Sequence, residues 1–256
     1  MSKKTYFLSD FHLGIDTDLS SRERELKIVR FLDQIKDDVA ELYLVGDVFD
    51  FWFEYKQVVP KGYIRLFGKL AELADAGVTV HYFIGNHDMW MFDYLKDEIG
   101  AIMHREPVMI QLGNKRAWIG HGDGLGPRDH GYKFIKKIFR NRVCQWLFAR
   151  LHPNFSLALG QYWSGKSRLQ EKSPAPFNES TEWLVAYSEE MLKEKPADYY
   201  IFGHRHLPIA HLLSNDRSRY INLGEWMYSY SYAVWNGEEL RLEFFESEDG
   251  EVYGRG

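Results

Sequence analysis

Short apolar runs and longer amphipathic stretches alternate along this chain. "TYFLSD" at residues 5–10, "YLVG" ending at Gly46 and "VTVHYFIG" ending at Gly85 read as strands. Between the first two, "SRERELKIVRFLDQIK" has helical spacing, with Leu26, Val29, Arg30 and Asp33 dividing apolar from polar positions. "YIRLFGKLAELADAG" reads as a helix closed by Gly77. "DMWMFDYLKDEIG", residues 88–100, reads as a third helix, and "PVMIQLGNKRAWIGHG" as a hairpin turning at Gly113-Asn114. A helix-rich block at about 129–194 interrupts the pattern, and "DYYIFGHRH", "HLLSN", "RYINLG" and "YAVWNGEELRLEFFE" return to strands. The alternation is that of an α/β fold. A length of 256 residues suits one large domain, 1–256, carrying the helical block as an insertion.

Composition changes this picture little. Hydrophobic content of 45% with 27% charged residues is ordinary for a soluble globular chain, and a net charge of −5 argues against general nucleic-acid binding. The single cysteine, Cys144, excludes an intramolecular disulfide and fits a reducing compartment. The start "MSKKTYFLSD" lacks the long apolar region of a signal peptide. No apolar run approaches the roughly 20 residues that span a bilayer. A cytosolic protein that touches a membrane is expected.

The strand ends carry the chemistry. Asp10 and His12 follow "YFLS"; Asp47 follows "YLVG"; Asn86, His87 and Asp88 follow "HYFIG"; His121 and Asp123 follow "AWIG"; His204 and His206 follow "YYIFG". A lone Asp after Gly is usually a turn residue or helix cap, and a lone His is usually structural. Five strands delivering one ligand chemistry are hard to read as turns, because ligands of open α/β sheets gather beyond the carboxyl ends of strands. An ionised Asp47 at the mouth of an apolar core needs a cation. Carboxylate, amide and imidazole without thiolate suit Mn²⁺, Fe²⁺ or Zn²⁺, with Mn²⁺ the ion expected. Asp10, His12, Asp47, Asn86, His121, His204 and His206 are too many ligands for one catalytic ion and suit two. Two divalent ions sharing a bridge stabilise the attacking and leaving oxygens of a phosphoryl displacement. Asp47 is the natural bridge.

"SDFHLG", "GDVFDFW", "GNHD", "GHGD" and "GHRH" together resemble the ordered motifs of the calcineurin-like metallophosphoesterases. The resemblance implies a four-layer αββα sandwich with metals at strand C-termini. It places Asp10, His12, Asp47 and His206 on one ion and Asp47, Asn86, His121 and His204 on the other. Asp47, Asn86 and His87 would form the catalytic group, with His87 contacting phosphate and helping to protonate the leaving oxygen. "GDVFDFW", "HGDGLGPRD" and the insertion behind it resemble, more narrowly, the UDP-2,3-diacylglucosamine diphosphatase family of lipid A biosynthesis. That implies cleavage of an acylated UDP-sugar to UMP and 2,3-diacylglucosamine 1-phosphate, with Asn86, His87, Asp129 and His204 touching substrate. Ser164, Lys166, Ser167 and Arg168 are local candidates for further contacts. This chain has "GNHD" where many members have "GNRD", so His87 replaces an arginine.

The insertion bears on the substrate independently. From His130 to Gln170 there is no acidic residue, whereas Lys133, Lys136, Lys137, Arg140, Arg142, Arg150, Lys166 and Arg168 are basic. Ile135, Ile138, Phe139, Val143, Trp146 and Leu147 follow helical spacing on one face, with Lys133, Lys136, Lys137 and Arg140 on another. A basic amphipathic lid could lie on an anionic membrane or cap an acylated, negatively charged substrate. "FDFWFEYK", after Asp47, would be either an opposing apolar wall or ordinary core. Two other readings stay open: a phosphoesterase acting on soluble nucleotides, and a non-catalytic scaffold of the same fold. The complete ligand set argues against the scaffold.

Overall fold

Strand β1 (Lys4–Leu8) pairs in parallel with β2 (Val39–Val45), which pairs in parallel with β3 (Thr79–Phe83), and β3 with β4 (Ile102–His104). On its other side β1 meets β10 (Ser231–Trp235), which runs antiparallel and carries β11 (Leu240–Phe244) at the edge. The second sheet has the order β5-β6-β7-β9-β8. Its members are β5 (Val108–Leu112), β6 (Lys115–Ile119), β7 (Tyr199–Phe202), β8 (Pro208–Leu212) and β9 (Arg219–Leu223). The β5–β6 hairpin turns at Gly113-Asn114 as its sequence predicts, and β6, β7 and β9 are mutually parallel. The computed structural model describes residues 3–126, 130–170, 175–247 and 250–255, without the side chains of 130–132 and 166–170.

Strand alternation separates three packed regions. Phe7, Tyr43, Val45 and Phe83 of the first sheet meet Ile119, Ile201, Ile221 and Leu223 of the second in the central layer. Their neighbours Tyr6, Leu8, Leu42, Leu44 and Tyr82 point outward onto the helices α1 (Ser21–Ile35), α2 (Ile64–Asp75) and α3 (Tyr94–Ile99). On the far side Trp118, Tyr200, Phe202 and Tyr220 pack against α7 (Trp183–Glu194). The result is helix, sheet, sheet, helix.

Three local readings change. In α1 the buried stripe is Ile28, Phe31, Leu32 and Ile35, and Leu26 faces solvent. The third helix begins only at Tyr94, because Asp88 turns inward and the Glu54 carboxylate caps the N–H groups of Phe92, Asp93 and Tyr94. The long helix expected through residues 135–147 is two helices, α4 (His130–Arg140) and α5 (Arg142–Phe148), because the Asn141 side chain accepts from Val143 N and Cys144 N and starts a new helix. Helix α6 (Pro153–Gln170) completes the layer above the first sheet. Helix α7, at the end of the expected insertion, packs on the second sheet as the outer layer of the sandwich.

Helices α4 to α6 sit on aromatic residues that follow Asp47. Trp52 and Phe53 are fully buried core, whereas Phe51 packs against Phe148 and lies directly under Gly160 of α6, where a Cβ would overlap its ring. Phe139, expected beside Ile135 and Ile138, instead turns inward to Trp90, whose indole N–H donates to the Phe139 carbonyl. The face left outward is strongly apolar: Phe134, Val143, Trp146, Leu147, Phe155 and Tyr162 are all exposed. Among the described residues no helix is long and apolar enough to cross a membrane.

Candidate metal centre

The parallel strands β1, β2 and β3 and the parallel pair β6–β7 end at the same edge of the sandwich. Each chain then leaves its strand by an abrupt turn. Asp10, His12, Asp47, His204 and His206 all have positive φ, between 46° and 66°, a conformation that non-glycine residues rarely adopt. Such strain persists where surrounding bonds over-determine it. Here the loops cross-link: Asp10 N donates to Gly46 O, His12 N to Asp47 O and Gly203 N to His121 O, at 2.9–3.1 Å. Glycine is required at the crossing, since a Cβ on Gly46 would enter the His121 ring and one on Gly85 the Asp47 carboxylate.

Each acidic side chain uses one oxygen for anchorage and leaves the other inside. Asp10 Oδ2 accepts from His204 N at 2.9 Å, and Asp47 Oδ1 accepts from His87 N at 2.8 Å. Asp10 Oδ1 and Asp47 Oδ2 are buried and accept no hydrogen bond among the described residues. Imidazole nitrogens surround them: His206 Nε2 lies 3.1 Å from Asp10 Oδ1, and His121 Nε2 lies 3.2 Å from Asp47 Oδ2. His12 Nε2 lies 3.6 Å from Asp10 and 3.8 Å from Asp47, between the two.

The tautomer of His121 shows what is wanted. Its Nδ1 lies 2.8 Å from the Val45 carbonyl, which can only accept, so the proton sits on Nδ1. Nε2 then presents a lone pair to Asn86 Oδ1 and Asp47 Oδ2, both at 3.2 Å and both acceptors. Three lone pairs converging in a buried place demand a cation, a divalent ion when one is bound and otherwise a proton on His121 Nε2. The protons respond accordingly. Burial opposes charge on His121, but Asp47, then Asp10 and Asp123, push its pKa up to about 10. Burial likewise opposes ionisation of Asp47, yet His121, His87 and His12 hold it well below the carboxylate range. Burial and then His121 push His204 down to about 4, leaving it neutral and able to ligate.

The residues brought together fit two ions. Asp10, His12 and His206 form one group of converging ligand atoms, Asp47, His121 and His204 a second, and His12, Asp47 and His87 a third between them. A pair of divalent cations held there supplies an activated water and stabilises charge on phosphoryl oxygens.

Two acidic residues near the ligands are structural. Asp88 is buried among Val48 N, Gly85 N and Tyr82 OH, and burial followed by Asp47 raises it to about 6. Asp123 pairs with Lys136 of α4 at 2.5 Å. The expected basic face of α4 is thereby largely engaged with the body of the protein: Lys133 donates to Gly126 O, Lys136 to Asp123, and Arg140 to Glu106 and Arg105 O. Lys137, Arg142 and Arg150 remain on the exposed surface.

Asp50 links this centre to the lid. Its Oδ1 is 3.6 Å from His12 Nδ1, and its Oδ2 accepts from Ser164 Oγ of α6 at 2.7 Å. His87 Nδ1 lies 2.9 Å from both the Asp50 carbonyl and Ser164 Oγ, so Nδ1 carries the proton and Nε2 is left for other work. Ser164, expected to touch substrate, donates to Asp50 Oδ2 and lies 2.9 Å from His87 Nδ1. Asp129 lies outside the described residues, as do the side chains of Lys166, Ser167 and Arg168.

Sequence reasoning missed Arg24. Its guanidinium is fully buried under the first ligand loop, donating to the carbonyls of Phe11, His12 and Ile15 at 2.7–2.9 Å and to Thr17 Oγ1. The available signal was a basic residue in line with Ile28, Phe31 and Ile35. Arg24→Met should leave these carbonyls unsatisfied at about 1–3 kcal/mol for each group not rehydrated. Outer supports of metal ligands typically change affinity about 10–100-fold. Calorimetric metal titration and thermal melting should both show the loss; unchanged values in both would make Arg24 an incidental contact.

A family model described as calcineurin-like phosphoesterase matches residues 3–208. The chain belongs to that family of metallophosphoesterases. It is 38% identical to a UDP-2,3-diacylglucosamine hydrolase of Porphyromonas gingivalis (strain ATCC BAA-308 / W83), covering 96% of this chain and 99% of the relative. A UDP-2,3-diacylglucosamine hydrolase of Aeromonas salmonicida (strain A449) is 29% identical, covering 93% and 92%. Among solved structures, a hypothetical protein from Pyrococcus horikoshii OT3 matches with a TM-score of 0.50 at 11% identity, over 95% of this chain and 88% of that one; it shares the fold.

Proposed function

We propose that this chain hydrolyses UDP-2,3-diacylglucosamine to UMP and 2,3-diacylglucosamine 1-phosphate, a step in lipid A synthesis, using two divalent ions, with Mn²⁺ the favoured pair. The observation that carries the reading is the match to the Porphyromonas gingivalis hydrolase over nearly the whole of both chains, ligand loops and covering helices included. The reading assigns Asp10, His12, Asp47 and His206 to one ion and Asp47, Asn86, His121 and His204 to the other. Asn86, His87 and His204 face the diphosphate, and His87, as an imidazolium with Nδ1–H held by the Asp50 carbonyl, donates its Nε2 proton toward the leaving oxygen. Comparing hydrolysis of UDP-sugars with and without acyl chains tests it. A strong preference for the diacylated sugar is expected; equal or better turnover of a soluble nucleotide would contradict it.

The exposed apolar face of α4 to α6 is the seat for acyl chains and for an anionic membrane surface. Each CH₂ removed from water contributes about 0.8 kcal/mol, so a few methylenes change affinity by orders of magnitude. Trp146 and Leu147 are both 55% exposed, so Trp146→Asp and Leu147→Asp should fold with an unchanged melting temperature. Each should raise KM for the diacyl nucleotide roughly 10–100-fold, the loss of a few buried methylenes. Lys137→Glu with Arg142→Glu should weaken sedimentation with anionic vesicles, by less as salt rises. An unchanged KM together with unchanged vesicle binding would show that this face serves neither.

A further inference from the structure

A cleft of about 1200 Å³ opens beside the metal centre, with His204 and His206 on its rim. It is not the space beneath the lid. Helix α6 is fastened on the His87 and Asp50 side through Ser164, whereas this cleft runs between Asp16 and Thr17, Trp183, and the turn that follows β9.

That turn is built and referenced to the metal ligands. The Glu225 carboxylate is buried and accepts from the N–H groups of Met227, Tyr228 and Ser229, while Ser229 Oγ donates back to the Glu225 carbonyl at 3.0 Å. Trp226, fully buried against Phe11 and Phe31, donates its backbone N–H to the carbonyl of Asp10 at 3.1 Å. The tip of this rigid loop carries Tyr228, 57% exposed and lining the cleft. A large ring presented to the cleft on a pre-formed turn is a surface on which a planar ligand can stack.

The substrate has two arms joined by a diphosphate. The apolar arm belongs with the apolar face of α4 to α6. The polar arm must then leave the metal centre elsewhere, and the cleft shares two ligand histidines with that centre. Its polar lining, including the exposed carboxylate of Asp16, suits a ribose diol, and its volume is ample for a nucleotide. We infer that the cleft seats the nucleoside monophosphate half of the substrate, with the Tyr228 ring as the stacking platform for its pyrimidine; this rests on the reaction proposed above.

Base–aromatic stacking is worth about 1–3 kcal/mol per base by alanine substitution, or roughly five- to a hundredfold in affinity. Calorimetry on the Mn²⁺-loaded protein with UMP, ribose 5-phosphate and inorganic phosphate separates the base from the phosphate. Wild type should bind UMP at least about fivefold more tightly than ribose 5-phosphate, as that stacking range requires. Tyr228→Ala should erase this preference while leaving phosphate binding alone, and Tyr228→Phe should keep it. In the unaltered protein, saturation-transfer NMR should place the uracil H5 and H6 closer to protein than the ribose protons. Preference for UMP retained in Tyr228→Ala, or equal weakening of all three ligands, would overturn the inference while leaving the reaction standing. Failure of the wild type to hydrolyse any acylated UDP-sugar would overturn both.

Discussion

Asp47→Ala should abolish hydrolysis and metal binding together. Among the described residues this carboxylate is the acidic group shared by two sets of candidate ligands, with Oδ1 fixed by His87 N and Oδ2 buried beside His121 and His12. Loss of an outer support alone reduces metal affinity or activity about 10–100-fold, so loss of a shared ligand should exceed that range. The metal-free protein should lose stability as well, because Asp47 pairs with the buried His121 and accepts from His87 N, and its removal leaves both without their partner. Wild type should also gain stability on adding Mn²⁺ by mass action, and the variant should not. Elemental analysis and paired melting curves check both statements. An Asp47→Ala protein that still melts higher with Mn²⁺ would remove this residue from the bridge.

His87→Ala should keep metal and lose rate. His87 is assigned to neither ion, and its Nδ1 is already held by the Asp50 carbonyl and Ser164 Oγ. Proton transfer by a positioned side chain typically contributes roughly 10²–10⁴-fold, and kcat should fall within that range. The loss should grow with the basicity of the leaving group, being larger for diphenyl phosphate than for bis-p-nitrophenyl phosphate. A loss independent of the leaving group would reduce His87 to a positioning residue. Because Ser164 of α6 touches His87, detachment of that helix should produce part of the same defect.

The candidate ligands were legible because each follows an apolar strand through a glycine or serine, and strand direction alone carries Asp10, Asp47, Asn86, His121 and His204 to one edge. The hairpin at Gly113-Asn114 was legible for the same reason: its turn chemistry is local. What escaped depends on partners distant in sequence. Glu54 caps a helix forty residues away, which shortened α3. Lys136 and Arg140 sit on a helix that reads as a basic face, but Asp123 and Glu106, on other elements, engage them. Phe139 faces inward because Trp90, nearly fifty residues away, packs on its ring and donates to its carbonyl. The Ser164 hydroxyl meets Asp50 and His87 only through the approach of α6, which no local pattern announces. Arg24 was hidden by its own charge, since a buried guanidinium becomes acceptable only with the loop carbonyls folded around it.

Stepwise reconstitution of the metal-free protein with Mn²⁺, followed by release of UMP from UDP-2,3-diacylglucosamine, tests the central claim most directly. The account predicts no UMP without metal and a rate that climbs to its maximum at two equivalents per chain, with 2,3-diacylglucosamine 1-phosphate appearing in equal amount. A maximum at one equivalent, a rate indifferent to metal, or no UMP at all would contradict it.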